Sequence, residues 1–182
     1  MSHSRVSNWP SNLQYSTRPL YHASVSKEVK QFLQSSPSGT RSADNAPCRV
    51  VIRKITENTH PAHGQCGLFA GKKIPPNALI LDYIGEIHCD DRPESDYDLS
   101  LHRFPDGTSV GVDASRFGNE ARFTNDYRGV QSKPNAVFTD YRTNTGELRM
   151  CIRSRQEIKK GEEILVSYGK SWWSNRTDEE EK

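Results

Sequence analysis

Three short motifs carry side chains that could bind a ligand or take part in a reaction. They are residues 83–86 (YIGE), 118–125 (GNEARFTN) and 161–169 (GEEILVSYG). The first and the last contain a tyrosine, whose hydroxyl donates and accepts hydrogen bonds and can therefore orient a polar group of a ligand. Each motif alone is more common in structural strands and turns than in functional sites. Their occurrence together in one small domain is what indicates chemistry.

A second group of residues has a spacing that is typical of a metal site. His60, His63 and Cys66 form the pattern H-x-x-H-x-x-C, which could hold a transition metal. The pattern supplies only three ligands, and a fourth would have to come from His88 or Cys89, further along the chain. We therefore predict no metal site and keep this one as an alternative.

Composition limits the classes of protein to which the chain can belong. It has 182 residues, of which 33% are hydrophobic, and its mean hydropathy is -0.83. These values are low for a compact globule and predict that part of the chain stays outside the core. The net charge of +2 gives no strong electrostatic signal for nucleic-acid binding.

Targeting and cysteine patterns argue against secretion and against a membrane partner. No apolar run is long enough to span a bilayer, and the N-terminal residues lack the apolar core of a signal peptide. The four cysteines, Cys48, Cys66, Cys89 and Cys151, are scattered and form no C-x-x-C pair. We therefore predict reduced thiols rather than a disulfide framework.

The composition changes along the chain and predicts three regions. Residues 1–47 are rich in Ser, Pro, Asn and Thr, and are expected to form a partly disordered N-terminal extension with one helix over about residues 24–34. Residues 48–176 are expected to form the folded domain. Residues 177–182 form an acidic tail that should be solvated.

The domain is predicted to be mainly β. No long amphipathic helix interrupts it, so the sheets should be small, curved and mainly antiparallel rather than built from parallel β-α-β units. Residues 144–146 (NTG) predict a hairpin turn, and Asn77 lies where a tight turn needs a positive backbone angle. The runs expected to form strands are 48–57, 78–89, 97–103, 108–115, 135–142, 147–155 and 162–168.

In their order, the three motifs resemble those of the SET domain of protein lysine methyltransferases. The match is strongest over residues 113–125, which follow the family pattern D-A-x-x-x-G-N-x-A-R-F-x-N. Asp126 and Tyr127 stand where the family has His and Ser. The resemblance covers about residues 48–173. It implies a SET fold of small curved antiparallel sheets with short helices and a pseudoknot-like crossing of the C-terminal part.

The resemblance also implies roles for individual residues. Tyr168 matches the central catalytic tyrosine, and Tyr83 matches a catalytic tyrosine that lines the channel for the lysine. The implied cofactor is S-adenosylmethionine, and Gln65 stands where the family has the first glycine of a G-x-G loop. The residues implied to bind the cofactor are Gln65, Cys66, Gly67, Leu68, Tyr97, Arg122, Phe123, Asn125, Asp126, Tyr168, Trp172 and Trp173.

By this resemblance the chain is expected to be a nuclear enzyme that transfers a methyl group from S-adenosylmethionine to a lysine, with histone tails as the leading substrate class. The amine must first lose its proton, which costs about 4 to 5 kcal/mol at pH 7 for a pKa of about 10.4. A channel walled by tyrosine rings would desolvate the ammonium and lower that pKa. The number of methyl groups stays open, although Val166 takes a position that influences it in the family.

Two other functions remain open from the sequence. The departures at Gln65, Asp126 and Val166 leave room for a catalytically weak SET-like module that binds peptides in chromatin. A basic stretch on the predicted strand 147–155 and the turn after it could make a weak contact with DNA. Its residues are Arg149, Arg153, Arg155, Lys159 and Lys160.

Overall fold

The folded part of the chain is built mainly from short strands. The computed structural model describes residues 6–35 and 48–169. The mainly β fold is confirmed, and no helix within these ranges is long and apolar enough to cross a lipid bilayer. The described elements are β1 (Gln14–Tyr15), β2 (Leu20–Tyr21), α1 (Lys27–Gln34), β3 (Val50–Lys54), β4 (Cys66–Ala70), β5 (Leu79–Asp82), β6 (Glu86–His88), β7 (Asp98–Arg103), β8 (Ser109–Asp113), β9 (Phe117–Gly118), a 3₁₀ helix (Glu120–Phe123), β10 (Asn125–Asp126), β11 (Ala136–Arg142), β12 (Leu148–Ser154) and β13 (Leu165–Val166).

Within the described residues, the strands form two main sheets and three two-stranded pairs. One main sheet has the order β2-β6-β8-β7, and the other has the order β11-β12-β5. Neighbouring strands in both are antiparallel except β2 with β6. β3 pairs with β4 in the antiparallel sense, whereas β1 with β9 and β10 with β13 are parallel. The prediction of small, mainly antiparallel sheets is therefore confirmed, with short parallel pairs that it did not include.

Residues 78–89, which the sequence predicts as one strand, form two. β5 belongs to the three-stranded sheet, and β6 belongs to the four-stranded sheet. Between them, Asn119 accepts a hydrogen bond from the Ile84 N–H at 3.2 Å and donates one to the Asp82 carbonyl at 2.8 Å. The single-strand prediction is wrong because these backbone groups bond to the Asn119 side chain instead of to a neighbouring strand. Tyr83 lies at the resulting bend.

The glycine-containing segment that begins at Cys66 is a strand rather than a loop. β4 pairs with β3 along its whole length. The loop that precedes β4 is closed at its base by Ile55, whose N–H donates to the Gln65 carbonyl at 2.8 Å and whose carbonyl accepts from the Gly64 N–H at 3.0 Å. The part of the loop that projects beyond this base therefore lies between residues 56 and 63.

Both predicted turns are confirmed. Asn77 has a φ of 59°, in the left-handed region that an asparagine tolerates. The hairpin between β11 and β12 is closed by a 2.9 Å hydrogen bond from the Thr143 N–H to the Glu147 carbonyl, with Gly146 at a φ of 89°. This hairpin sets the antiparallel register of β11 against β12.

Helix α1 begins slightly later than predicted and packs on the domain. Ser26 caps it, because its hydroxyl accepts a hydrogen bond from the Val29 N–H at 3.2 Å. Leu33 is 1% exposed and joins the core. The Phe32 ring packs edge-on against Phe104, with 4.9 Å between the ring centroids. The N-terminal segment is thus held by apolar contacts to the rest of the protein.

One hydrophobic core receives side chains from both main sheets, from the β3–β4 pair and from α1. β-Branched side chains dominate it and suit the pleated surface of a sheet. Its largest fully buried members are Leu33, Ile52, Ile55, Leu68, Ile74, Ile80, Val110, Val112, Ile152, Ile158, Ile164 and Leu165.

The C-terminal strand β13 crosses the loop between residues 125 and 135 and bonds to both of its ends. At the start of the loop, β13 pairs in parallel with β10. At its end, Asn135 accepts from the Leu165 N–H through Oδ1 and donates to the Glu163 carbonyl through Nδ2, both at 2.8 Å. Asn135 is 1% exposed, so its amide acts in place of a neighbouring strand. This arrangement agrees with the predicted pseudoknot-like crossing.

Replacing Asn135 with Ala should lower the free energy of unfolding by about 2 to 4 kcal/mol, because two buried backbone groups would lose their hydrogen bonds. Chemical denaturation measures this change. Asn58→Ala, at an exposed position, is the matched control and should change stability by less than about 0.5 kcal/mol. Equal stabilities for the two variants would show that Asn135 does not secure the crossing.

Candidate active site

A cleft of about 880 Å³ lies where the C-terminal crossing meets the loop before β4. This volume is in the range of small-molecule sites. Several separate stretches of chain form its walls, so the cleft exists only in the folded domain. The lining residues are 60–62, 65–66, 96–100, 122–126 and 128, with Tyr83, Phe138 and Tyr168.

Tyr168 lies two residues after the end of β13 and reaches the cleft from the crossing. Its hydroxyl donates to the Thr124 carbonyl at 2.8 Å, and its backbone N–H donates to Asp126 Oδ2 at 2.8 Å. Burial, followed by the negative charge of Asp126, raises the pKa of Tyr168 well above its usual value of 10.0. The phenol is therefore neutral near pH 7, and its proton is directed at a backbone carbonyl.

Tyr83 reaches the same cleft from the bend between β5 and β6. It is 6% exposed, and its hydroxyl donates to the Tyr97 carbonyl at 2.8 Å. Its ring meets Phe138 edge-on, with 5.5 Å between the centroids. Burial raises the pKa of Tyr83 well above 10.0, although the positive charge of Arg122 acts in the opposite direction.

The two tyrosines therefore share one chemical character. Each hydroxyl proton is bonded to a backbone carbonyl, so the phenol oxygen can still accept a hydrogen bond from a ligand. Because the raised pKa keeps both phenols protonated near pH 7, neither supplies the phenolate that could act as a base. Tyr83 and Tyr168 can thus orient an uncharged amine, whereas removing its proton falls to another group or to solvent.

Aromatic rings hold Arg122 against the wall of the cleft. Its guanidinium carbon lies 4.1 Å from the centroid of the Tyr97 ring and 5.0 Å from that of Phe123. Its Nε donates to the Ala114 carbonyl at 2.9 Å. Trp9, from the N-terminal segment, packs edge-on against Phe123 with 5.7 Å between the centroids. The position of this cation is therefore set by packing as well as by hydrogen bonding.

Asp126, which replaces the histidine of the family pattern, supports Tyr168. Asp126 is 9% exposed. Its carboxylate accepts hydrogen bonds from the Arg128 N–H and from the Arg128 guanidinium, each at 2.8 Å. The bond from the Tyr168 N–H to the same carboxylate fixes the backbone at this tyrosine. The ion pair with Arg128 stabilises the charge that burial would otherwise disfavour.

Most of the predicted cofactor residues come together at the cleft. Gly67 and Leu68 do not line it, because they are buried within β4. Trp172 and Trp173 lie outside the described residues, as does the predicted acidic tail. The cofactor-binding roles of all the predicted residues stay predictions. The predicted residues that line the cleft are Gln65, Cys66, Tyr97, Arg122, Phe123, Asn125, Asp126 and Tyr168.

The sequence analysis missed several side chains of the cleft, among them Thr124 and Phe138. Thr124 is 3% exposed, and its Oγ1 lacks a hydrogen-bond partner among the described residues. Phe138 lines the cleft beside Tyr83, whereas Val166 is fully buried and does not line it. The period-two alternation of β11 puts Phe138 on the same side as the buried Ala136, and this pattern could have identified it.

The H-x-x-H-x-x-C pattern does not form a metal cluster. The His60 side chain is 8% exposed and its Nε2 lies 3.0 Å from Glu163 Oε2, whereas His63 is exposed and Cys66 is the first residue of β4. In residues 6–35 and 48–169, no group of three or more His, Cys, Asp or Glu side chains is arranged to hold a metal ion. The metal alternative therefore has no structural support in this part of the chain.

Residues 65–169 match the family model of the SET domain. The chain is 26% identical over 177 residues to the inactive histone-lysine N-methyltransferase 2E of Mus musculus, covering 90% of this chain and 9% of that protein. It is 36% identical over 110 residues to the histone-lysine N-methyltransferase set-2 of Caenorhabditis elegans, covering 56% of this chain and 7% of that protein. The chain thus spans less than a tenth of the length of these curated relatives.

A solved structure carries the same fold. The crystal structure of ATXR5 in complex with histone H3.1 has a TM-score of 0.64 and 16% identity to this protein, covering 86% of this chain and 81% of that one. At this identity the likeness concerns the fold alone. The family model, however, matches more than half of the 182 residues, and the cleft, the crossing and the motif residues lie within or beside the matched region. The chain therefore belongs to the SET-domain family.

Proposed function

We propose that this SET domain transfers a methyl group from S-adenosylmethionine to a lysine side chain of a protein, and that a histone tail is its substrate. Family membership supports the reaction class, since its relatives include proteins named as histone-lysine N-methyltransferases. The ATXR5 structure, which contains histone H3.1, supports the substrate class. A nuclear location follows from a histone substrate.

The observation that carries this proposal is the pair of neutral phenols on one cleft. Tyr83 and Tyr168 come from distant parts of the chain, yet both have raised pKa values and both give their proton to a backbone carbonyl. A lysine that enters between them meets hydrogen-bond acceptors and aromatic surface instead of water. The loss of water favours the uncharged amine, which is the form that attacks a methyl group.

The cleft also fits the proposed cofactor. Its volume of about 880 Å³ exceeds what a lysine side chain needs, and the buried hydroxyl of Thr124 is a polar group that a ligand could satisfy. Arg122 and Arg128 supply positive charge to the lining, and Asp96, Asp98 and Asp126 supply negative charge. S-adenosylmethionine carries an ammonium, a carboxylate and a sulfonium, so a lining with both signs of charge suits it.

The division of tasks follows from the cofactor's chemistry. When bound, S-adenosylmethionine supplies an activated methyl group, and the protein supplies alignment and electrostatics. Gln65, Cys66, Arg122 and Asn125 are the residues proposed to hold it. Tyr168 and Tyr83 hold the amine in line and exclude water. Deprotonating an ordinary lysine at pH 7 costs about 4 to 5 kcal/mol of free energy, and desolvation in the cleft reduces this cost.

The substrate peptide is proposed to bind as an added strand beside β7. β7 lies at one edge of its sheet, and within the described residues β8 is its paired neighbour. Residues 96–100 all line the cleft, so a strand on this edge would pass the lysine channel. Asp96 is exposed there and Asp98 is half-buried, which gives this edge negative charge for a basic peptide.

A second candidate function is a SET-like module that binds peptides without efficient catalysis. The relative that matches 90% of this chain is named as an inactive methyltransferase, and Asp126 replaces the usual histidine. Transfer of labelled methyl groups to nucleosomes and free histones, with mass spectrometry of the products, separates the two functions. Cofactor binding without any transfer would favour the module.

Tyr168→Phe should lower kcat by about 100-fold while the affinity for S-adenosylmethionine stays unchanged, because only a polar group at the reacting centre is lost. Single-turnover kinetics and isothermal titration calorimetry measure the two quantities. Tyr127→Phe is the matched control, since Tyr127 does not line the cleft, and it should keep the full rate. An unchanged rate in Tyr168→Phe would remove Tyr168 from the catalytic role.

Alkaline pH should destabilise the wild-type protein more than Tyr168→Phe. Folding raises the pKa of Tyr168 above 10.0, so above about pH 10 the unfolded chain releases this proton while the folded protein keeps it. The free energy of unfolding therefore falls as pH rises through this range, and the variant lacks this contribution. Urea denaturation at pH 8 and pH 10.5 tests the difference. Parallel losses in both proteins would contradict the raised pKa.

Asp96→Lys should raise the KM for a basic histone peptide about 3- to 5-fold with little change in kcat, since an exposed charge pair contributes about 0.2–1 kcal/mol. The effect should shrink as salt is added. Asp91→Lys makes the same charge change at an exposed position outside the lining and serves as the control. If both variants raise KM equally, the peptide does not follow the β7 edge.

A further inference from the structure

One wall of the cleft is a loop whose position needs an explanation. His60, Pro61 and Ala62 line the cleft, yet they lie in the part of the loop that projects beyond its base at Ile55. Local turn bonds within the loop, such as that from the His63 N–H to the His60 carbonyl at 2.9 Å, set its shape. They do not attach it to the rest of the domain. A wall of a binding site must be attached if its contacts are to be reproducible.

Pro61 packs close to Gly129, and the His60 side chain adds a directed attachment to the C-terminal crossing. Its imidazole is 8% exposed, and the Ala62 N–H donates to His60 Nδ1 at 3.0 Å. Since a backbone N–H can only donate, Nδ1 accepts and carries no proton in this arrangement. The proton is therefore on Nε2, which donates to Glu163 Oε2 at 3.0 Å. Glu163 belongs to the C-terminal crossing, so one hydrogen bond joins the loop to it.

Glu163 extends the connection to the other wall. Its second oxygen, Oε1, accepts from Asn125 Nδ2 at 2.8 Å, and Asn125 lies at the start of the loop that β13 crosses. A Cβ on Gly67 would come within 2.5 Å of the same Oε1. The absence of a side chain at Gly67 thus leaves room for the Glu163 carboxylate, which stands between the loop and the crossing.

We propose that His60 and Glu163 form a latch that holds residues 60–66 as a wall of the cofactor cleft. His60 is in this view a positioning residue for cofactor binding, and the inference rests on the proposed function for the identity of that cofactor. The latch also supplies hydrogen bonds to the buried carboxylate of Glu163 in the crossing. Each of its two oxygens has a donor from a different wall of the cleft.

The variants separate this latch from a general loss of stability. His60→Leu removes the donor to Glu163, whereas His60→Gln can return an N–H near the position of Nε2. His63→Leu is the matched control, because His63 lies in the same loop but is exposed. Thermal denaturation without ligand confirms that each full-length variant is folded.

Two measurements on the full chain decide the proposal. In hydrogen–deuterium exchange, the latch predicts that the amides of residues 63–65 exchange at least about 10-fold faster in His60→Leu, with β3 unchanged. His60→Gln and His63→Leu should match the wild type. In calorimetry, the dissociation constant of S-adenosylmethionine should rise about 10-fold in His60→Leu, as expected for the loss of a hydrogen bond to a charged group, and recover in His60→Gln.

The outcomes distinguish the latch from the proposed function. Unchanged exchange in His60→Leu overturns the latch whatever the protein binds. If exchange rises in His60→Leu but the dissociation constant of S-adenosylmethionine does not, the positioning role is overturned. If the wild type itself binds no S-adenosylmethionine, the proposed function fails while the exchange data still decide whether the latch exists. Equal effects of His63→Leu and His60→Leu would favour a shared role of both histidines and contradict the latch.

Discussion

The buried crossing of the C-terminal segment is the constraint on which the rest of this domain depends. β13 has only two residues, too few for a strand to be held by its ladder alone. Two side-chain amides add the hydrogen bonds that hold it. Asn135 bonds to the Glu163 carbonyl and the Leu165 N–H, and Asn125 donates to the Glu163 carboxylate. Tyr168 lies two residues beyond the end of this strand. Its hydroxyl can therefore be no better positioned than the crossing itself.

The same crossing explains the electrostatics of the cleft. Desolvation raises the pKa of Tyr168 because the segment passes through the interior before it reaches the surface. The negative charge of Asp126 adds to the raised pKa, and the same carboxylate accepts a hydrogen bond from the Tyr168 N–H, so it contributes both to the position of the phenol and to its neutrality. A histidine in its place would offer a ring instead of this acceptor. The departure from the family pattern is thus compatible with an ordered Tyr168.

The sequence predicted local features better than contacts between distant segments. The Asn77 turn and the hairpin at Gly146 followed from backbone preferences that a single residue carries. The break at Tyr83 was not predicted, because its cause, the Asn119 amide, lies more than thirty residues away. Most of the cofactor residues proposed from the motif matches lie together at one cleft. Thr124 and the partner of His60 could not be found, since burial and pairing depend on the folded crossing.

The N-terminal segment contributes to the same site through packing. β1 adds a parallel partner to β9, directly before the 3₁₀ helix that carries Arg122 and Phe123. Trp9 then closes over Phe123 edge-on, and Asn8 Nδ2 donates to the Ile52 carbonyl at 2.7 Å in β3. Phe123 lines the cleft, whereas Trp9 does not. These contacts therefore support Phe123 from outside the cleft. The segment therefore stabilises the wall that holds Arg122 without itself facing the cleft, which makes residues 6–35 part of the domain's packing rather than a separate unit.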